Sequence, residues 1–193
     1  MNRSSSSVVM SDPPFADALF NNTKFAWIWL IVRLYAGYEW ISAGLEKLQS
    51  PAWMQNGSAL KGYWTSAVAV PAAPARPAIT YSWYRSFLEF LLAHQSYVWF
   101  GKVVSIGEFL VGVALVLGIF VGISAFFGGL MNFNYMLAGS ASTNPVLFIL
   151  AILLMLAWKT AGYWGLDHFV LRWLGTPWKP GNLFQKKPEV KTS

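Results

Sequence analysis

The chain has 193 residues, of which 55% are hydrophobic and only 11% are charged. Soluble domains carry about 25% charged residues, so this composition, together with 11 tryptophans, predicts a membrane protein with aromatic side chains at the lipid headgroups. The net charge of +6 arises largely from a basic C-terminal tail, which argues against a folded nucleic-acid-binding face. The absence of cysteine excludes a disulfide relay, iron–sulfur ligation and thiolate zinc binding.

The N-terminal residues 1–24 are predicted to form a disordered or surface-lying leader. Their apolar stretch is too short for a signal peptide, and it is interrupted by Pro, Asp and Ser. Residues 25–170 are predicted to form the membrane domain, and residues 171–193 a basic cytoplasmic tail.

The membrane domain is predicted to be an all-α bundle of four transmembrane helices, because each span needs about 20 apolar residues. The apolar block at residues 97–138 is too long for one crossing and is expected to fold back at residues 120–124. Asn144 and Pro145 are expected to cap and begin the last helix. The predicted spans cover about residues 25–48, 97–119, 122–138 and 145–164.

The long first loop, residues 49–96, contains a Pro/Ala-rich stretch at 68–81 followed by an amphipathic pattern. The apolar side of that pattern consists of Tyr84, Phe87, Leu88 and Leu91. We expect an interfacial helix on the membrane surface; the alternative is a simple connector with a hydrophobic underside. The leader and tail carry more Lys and Arg than this loop, so the positive-inside rule predicts a multi-pass plasma-membrane protein with both termini cytoplasmic.

Several polar residues fall inside the predicted spans, where a charge costs about 2.5–3.5 kcal/mol on insertion scales. Counting 1.5 Å per residue puts Arg33 about 12 Å from the cytoplasmic side, with Glu108, Asn132 and Asn134 near mid-depth. Glu39 lies nearer the outer third. We therefore expect polar residues of three helices to meet within the bundle.

Helical phase assigns Arg33 to a stripe that also contains Gly37, Trp40, Gly44 and Lys47. The two glycines allow a neighbouring helix to approach closely, so the arginine is expected to point into the bundle.

Glu108 is the expected partner of Arg33, and the pair is either a catalytic device or a structural lock on helix register. Lys47 is expected to anchor its span end by reaching the membrane surface. Asp167 is expected to bond the backbone or a lysine of the tail.

Four motifs resemble the DoxX/DoxD family of membrane proteins. They are "RLYAGYEWISAGLEKL" in the first span, "GEFLVGVALVLGIFVGISA" in the second, "MNFNYMLAGSASTNP" in the third span and its turn, and "GYWGLDH" at the end of the fourth. The resemblance implies a four-helix membrane protein associated with redox enzymes. DoxD-like members form the large subunit of thiosulfate:quinone oxidoreductase, paired with a small non-membrane subunit.

The resemblance suggests a membrane subunit of a quinone-linked oxidoreductase that oxidises a small sulfur compound such as thiosulfate. Arg33 would orient an anion or a quinone oxygen, and Glu108 would move a proton. The residues predicted to bind the quinone or substrate are Glu39, Trp40, Asn132 and Asn134. The quinone is a substrate drawn from the membrane pool. No metal, haem or flavin is predicted on this chain, and a second subunit is expected to carry further redox function. The alternative is a non-catalytic scaffold or a small-solute permease.

Overall fold

The computed structural model describes residues 12–175, and within them every regular element is helical, which confirms the all-α prediction for this range. A 3-10 turn at Thr23–Phe25 joins the first two helices. The helices are α1 (Pro14–Asn21), α2 (Ala26–Gln49), α3 (Pro51–Met54), α4 (Ser58–Val68), α5 (Ser82–Ala93), α6 (Tyr97–Leu117), α7 (Val121–Leu137), α8 (Asn144–Leu156), α9 (Trp158–Ala161) and α10 (Asp167–Leu174).

The main bundle consists of two antiparallel pairs, α2 with α6 and α7 with α8. Its core is apolar and contains both large and small side chains, among them Trp29, Trp40, Leu115, Val121 and Leu154. Helix α8 is interrupted at Ala157, and α9 continues it for one more turn. The predicted fourth span is therefore a broken helix.

Glycines let α2 and α6 pack backbone to backbone, as the sequence predicts for Gly37 and Gly44. A Cβ on Gly44 would lie 2.5 Å from the backbone N of Phe109, and one on Gly112 would lie 2.5 Å from the backbone N of Ile41. A Cβ on Gly37 would lie 3.0 Å from the carbonyl O of Gly112. No side chain fits at these positions, so the glycines set both the distance and the register of the two helices. We call this contact the glycine seam.

The turn between α6 and α7 occurs slightly earlier than predicted. Gly118 ends α6 with a φ of 67°, and Phe120 also has a positive φ, of 46°. A left-handed residue after a helix is favourable for glycine because it has no Cβ. At the start of α8, Asn144 is the first helical residue, and its side chain donates to the carbonyl O of Ser140. It therefore does not act as the predicted cap.

The predicted first loop is largely a folded cap made of α3, α4 and α5. Helix α5 is the expected amphipathic helix, with Tyr84, Leu88 and Leu91 buried, whereas Phe87 is exposed. Helix α4, which the sequence reading missed, packs against it through residues including Leu60 and Trp64. The Pro/Ala-rich stretch contributes Ile79, which is fully buried in the same cluster.

At the other end of the bundle, α1 docks on α9. Thr160 Oγ1 donates to the carbonyl O of Phe20 at 2.8 Å, and Trp29 Nε1 donates to that of Leu19 at 2.9 Å. Residues 12–24 of the predicted leader are thus attached to the bundle. Residues 1–11 and most of the predicted tail lie outside the described residues.

Among residues 12–175, α6 is the one helix that is long and apolar enough to cross a membrane by itself. Helix α2 is longer, with 24 residues, but it contains Arg33, Glu39, Glu46 and Lys47. Helices α7 and α8 have 17 and 13 residues. Length and composition are therefore weakly consistent with a membrane location.

The glycine seam predicts a stability difference between two Gly→Ala variants. Gly44→Ala should cost about 1–3 kcal/mol, because the methyl group forces two helix backbones apart. Gly62→Ala is the matched control: a Cβ there meets nothing within 4 Å, and alanine favours the helix by roughly 0.5–1 kcal/mol. Thermal unfolding in detergent measures both. Equal midpoints would contradict a tight α2–α6 contact.

Candidate functional site

A groove with a volume of about 530 Å³ lies between α6 and α7 and is covered by α4 and α5. Its walls are mostly apolar. They include Trp64, Leu88, Leu110, Ile123, Phe127 and Leu130. An apolar cavity of this size with a few polar groups is typical of a small-molecule site.

The polar groups of the groove are contributed mainly by Tyr63 and Tyr84 from the cap and by Asn134 and Tyr135 from α7. The Tyr84 hydroxyl donates to the carbonyl O of Asn134 at 3.0 Å and lies 3.3 Å from its Oδ1. The Tyr63 hydroxyl donates to the carbonyl O of Tyr135 at 3.3 Å. These bonds attach the cap to α7 at the polar part of the groove.

Burial raises the pKa of Tyr84 to about 12, and the neighbouring Tyr63 adds to the rise. Burial likewise raises the pKa of Tyr63, although a hydrogen bond with Ser140 opposes the effect. Both hydroxyls are therefore protonated at neutral pH, and each uses its one proton in the bond to the backbone of α7.

A buried ion pair lies directly behind the groove. Glu108 is 1% exposed, and its Oε2 is 2.7 Å from Nζ of Lys47. Its Oε1 accepts a 2.5 Å hydrogen bond from the hydroxyl of Tyr135. Both carboxylate oxygens thus have a partner, and Tyr135 belongs both to this cluster and to the lining of the groove.

The glycine seam explains why these side chains meet. Gly44 on α2 contacts Phe109 on α6, so Lys47, one turn further along α2, comes beside Glu108. Lys47 is expected from the sequence to anchor its span end at the surface. Instead it is 20% exposed and paired with the buried carboxylate, because it points inward along the same stripe as the glycines.

The predicted pair between Arg33 and Glu108 does not form. Arg33 is buried and points into the bundle, as expected, but its guanidinium lies against Gly118 at the end of α6. Gly118 follows Glu108 by ten residues, or about 15 Å of helix. Residues at equal distances from their helix ends do not lie at equal depth here, because α2 and α6 are staggered.

Arg33 is enclosed by the turn that follows α6 and by the segment that precedes α10. Its Nη2 donates to the carbonyl O of Trp164 at 3.2 Å, and a Cβ on Gly118 or Gly165 would overlap the guanidinium. Among the described residues its Nε and Nη1 have no hydrogen-bond partner. The arginine contacts neither the groove nor the ion pair, so its surroundings indicate a structural role.

Asp167 caps the N-terminus of α7. Its carboxylate accepts from the backbone N of Phe120 at 2.6 Å and of Val121 at 2.9 Å, in line with the expectation that it bonds the backbone. Burial raises the pKa of Asp167, while these two bonds and the charge of Arg33 oppose the rise. The aspartate therefore connects α10 to the α6–α7 turn.

The four residues predicted to bind quinone are separated by the structure. Only Asn134 lines the groove. Trp40 is buried in the main core near Gly128, and Glu39 lies half-buried on α2 away from the groove. Asn132 is fully buried, and among the described residues neither its Oδ1 nor its Nδ2 has a partner.

Tyr63 and Tyr135 are site residues that the sequence reading missed. Tyr135 directly follows Asn132 and Asn134 in "NFNY". Its place next to two predicted site residues is the sequence signal that could have identified it. Lys47 could have been matched to Glu108 by aligning the glycines of the two helices in antiparallel register. No such local signal existed for Tyr63, because its position depends on how the cap folds back.

Breaking the ion pair should destabilise the protein in a non-additive way. Lys47→Met leaves a buried carboxylate without its cation and should cost about 3 kcal/mol or more. Glu108→Gln should cost less, because the lysine still reaches water, and the double variant should recover part of the loss. Unfolding free energies in detergent test this, with Lys102→Met on the exposed face of α6 as the control. Additive losses would contradict direct coupling.

The chain matches no family model, no curated protein and no solved structure. The resemblance to the DoxX/DoxD family therefore stays a prediction. The groove, its tyrosines and the buried ion pair are the features of this protein from which its function is inferred.

Proposed function

We propose that α2, α6, α7 and the broken helix α8–α9 are four membrane spans. Their outward faces carry many large apolar side chains that are exposed. These include Ile31, Leu34, Tyr38, Val103, Leu110, Leu117, Phe126, Phe127, Phe133, Val146, Ile149 and Leu156. Soluble proteins rarely expose apolar patches of such extent, whereas lipid chains would cover these faces at no cost.

Exposed tryptophans support the same arrangement. The end of the bundle with α1 and α10 carries exposed Trp27, Trp164 and Trp173. The opposite end, with α5, carries exposed Trp83 and Trp99. Tryptophan favours the headgroup level on both sides of a bilayer. From Trp99 to the end of α6 is about 27 Å of helix, close to the roughly 30 Å of a hydrocarbon core. With the termini cytoplasmic, the cap faces outward from the plasma membrane.

We propose that the groove binds a membrane quinone. The observation that carries this proposal is an apolar slot between α6 and α7 with tyrosines and an asparagine in its lining. A quinone has an apolar tail and two carbonyl oxygens. It therefore fits a site that offers apolar side chains to the tail and polar groups to the oxygens. The hydroxyls of Tyr63 and Tyr84 already donate to backbone carbonyls of α7, and each could exchange that acceptor for a quinone carbonyl.

The chain is then a membrane subunit of a quinone-linked oxidoreductase, with a small sulfur anion such as thiosulfate as the electron source. The DoxD-like motifs support the sulfur substrate, and the groove supports the quinone. A second subunit would contribute further redox function. Glu108 keeps its proposed proton role because Tyr135 connects it to the groove. Arg33 is assigned a structural role instead.

A scaffold or permease without catalysis is the second candidate. The observation in its favour is that both oxygens of Glu108 are already bonded within the protein. A satisfied buried ion pair also serves to lock helix register. Extraction of bound quinone from the purified protein distinguishes the two candidates.

Purification in mild detergent followed by solvent extraction should recover bound quinone. Leu110→Trp fills the groove and should lower the retained quinone at least tenfold, which corresponds to about 1.4 kcal/mol. Leu117→Trp is the matched control: it lies two turns away on α6, is also exposed, and is not part of the lining. A folded wild-type protein without quinone, or equal retention by both variants, would favour the scaffold or permease.

A further inference from the structure

We propose that Lys47, Glu108 and Tyr135 form a proton relay between the groove and the end of the bundle that carries the cap. The proposal rests on quinone binding in the groove and adds the route by which protons reach the quinone. Lys47 and Tyr135 are the residues to which it assigns a new role.

The three side chains form a continuous chain of hydrogen bonds. The Tyr135 hydroxyl donates to Oε1 of Glu108 at 2.5 Å, and Lys47 Nζ donates to Oε2 of the same carboxylate at 2.7 Å. Tyr135 lines the groove, so one end of the chain lies at the proposed quinone site. Each link is within the distance at which a proton transfers directly.

Lys47 is the solvent end of the chain. Glu108 is 1% exposed, whereas the lysine side chain is 20% exposed, near the C-terminus of α2. Its Nζ also lies 5.3 Å from the ring centre of Trp53 in the cap. The hydroxyls of Tyr63 and Tyr84 donate to the backbone of α7 and so do not extend this chain. Protons therefore arrive from the cap side and travel along α2 to α7.

Once the Tyr135 hydroxyl turns from Glu108 towards the groove, a quinone oxygen that has gained an electron takes its proton: the tyrosine O–H bond breaks and a quinone O–H bond forms. The Glu108 carboxylate takes a proton from the Lys47 ammonium and passes it to the tyrosinate, and the lysine amine is then protonated again from the solvent. Two passages and two electrons convert quinone to quinol. The electrons come from the small sulfur anion of the proposed function. With thiosulfate, two anions lose one electron each and join through a new S–S bond.

Protein-film voltammetry of the quinone-loaded full chain tests the relay, because the electrode supplies the electrons. Tyr135→Phe should slow proton-coupled reduction by about 100-fold, while extracted quinone stays within a factor of about two of wild type, because the lost hydroxyl bonds Glu108. Tyr38→Phe, an exposed tyrosine on α2, is the control and should react at the wild-type rate.

Lys47→Arg separates a relay from a structural lock. Arginine preserves the ion pair but does not lose its proton, so the variant should unfold like wild type, retain quinone and still react about 100-fold more slowly. The double variant Lys47→Met/Glu108→Gln avoids an unpaired buried charge and should be equally slow.

Two results overturn the proposal. If wild type and Tyr38→Phe retain quinone and both Tyr135→Phe and Lys47→Arg react at the wild-type rate, the relay is wrong and quinone binding stands. If folded wild type retains no quinone, both proposals fail together.

Discussion

The structure depends on the close contact between α2 and α6 at the glycine seam. Because a Cβ at Gly44 or Gly112 would overlap the opposing backbone, the two helices pack in one register only. That register decides the neighbours of every inward-facing polar group on α2. A shift by one turn, about 5.4 Å, would separate Lys47 from Glu108 and remove Arg33 from the glycines that enclose it.

The consequence is two polar clusters instead of one. At the end with α10, Arg33 and Asp167 organise the turns that join the helices, through the carbonyl of Trp164 and the N-terminus of α7. Towards the cap, Glu108 is bonded by Lys47 and Tyr135. The first cluster is enclosed by backbone, which suits a structural role. The second borders a groove, which suits chemistry on a bound ligand.

The cap converts an exposed apolar cleft into a candidate site. Helices α6 and α7 alone would present an apolar surface, and α4 and α5 cover it with Trp64 and Leu88 while adding the hydroxyls of Tyr63 and Tyr84. The hydrogen bonds from these tyrosines to α7 join the cap to the bundle. In the proposed quinone chemistry, the binding of an amphipathic ring and access to protons would be combined at this one place.

The sequence by itself determined the helical class, the close approach at Gly37 and Gly44, the amphipathic helix α5, and the inward direction of Arg33, because these follow from local periodicity and side-chain size. Only the tertiary structure decided which charges meet. Helices α2 and α6 are staggered, so depths counted from their ends paired Arg33 with Glu108, whereas backbone contact at the glycines pairs the glutamate with Lys47. The groove also depended on the tertiary structure, because the position of Tyr63 follows from how the cap folds back and not from any local pattern.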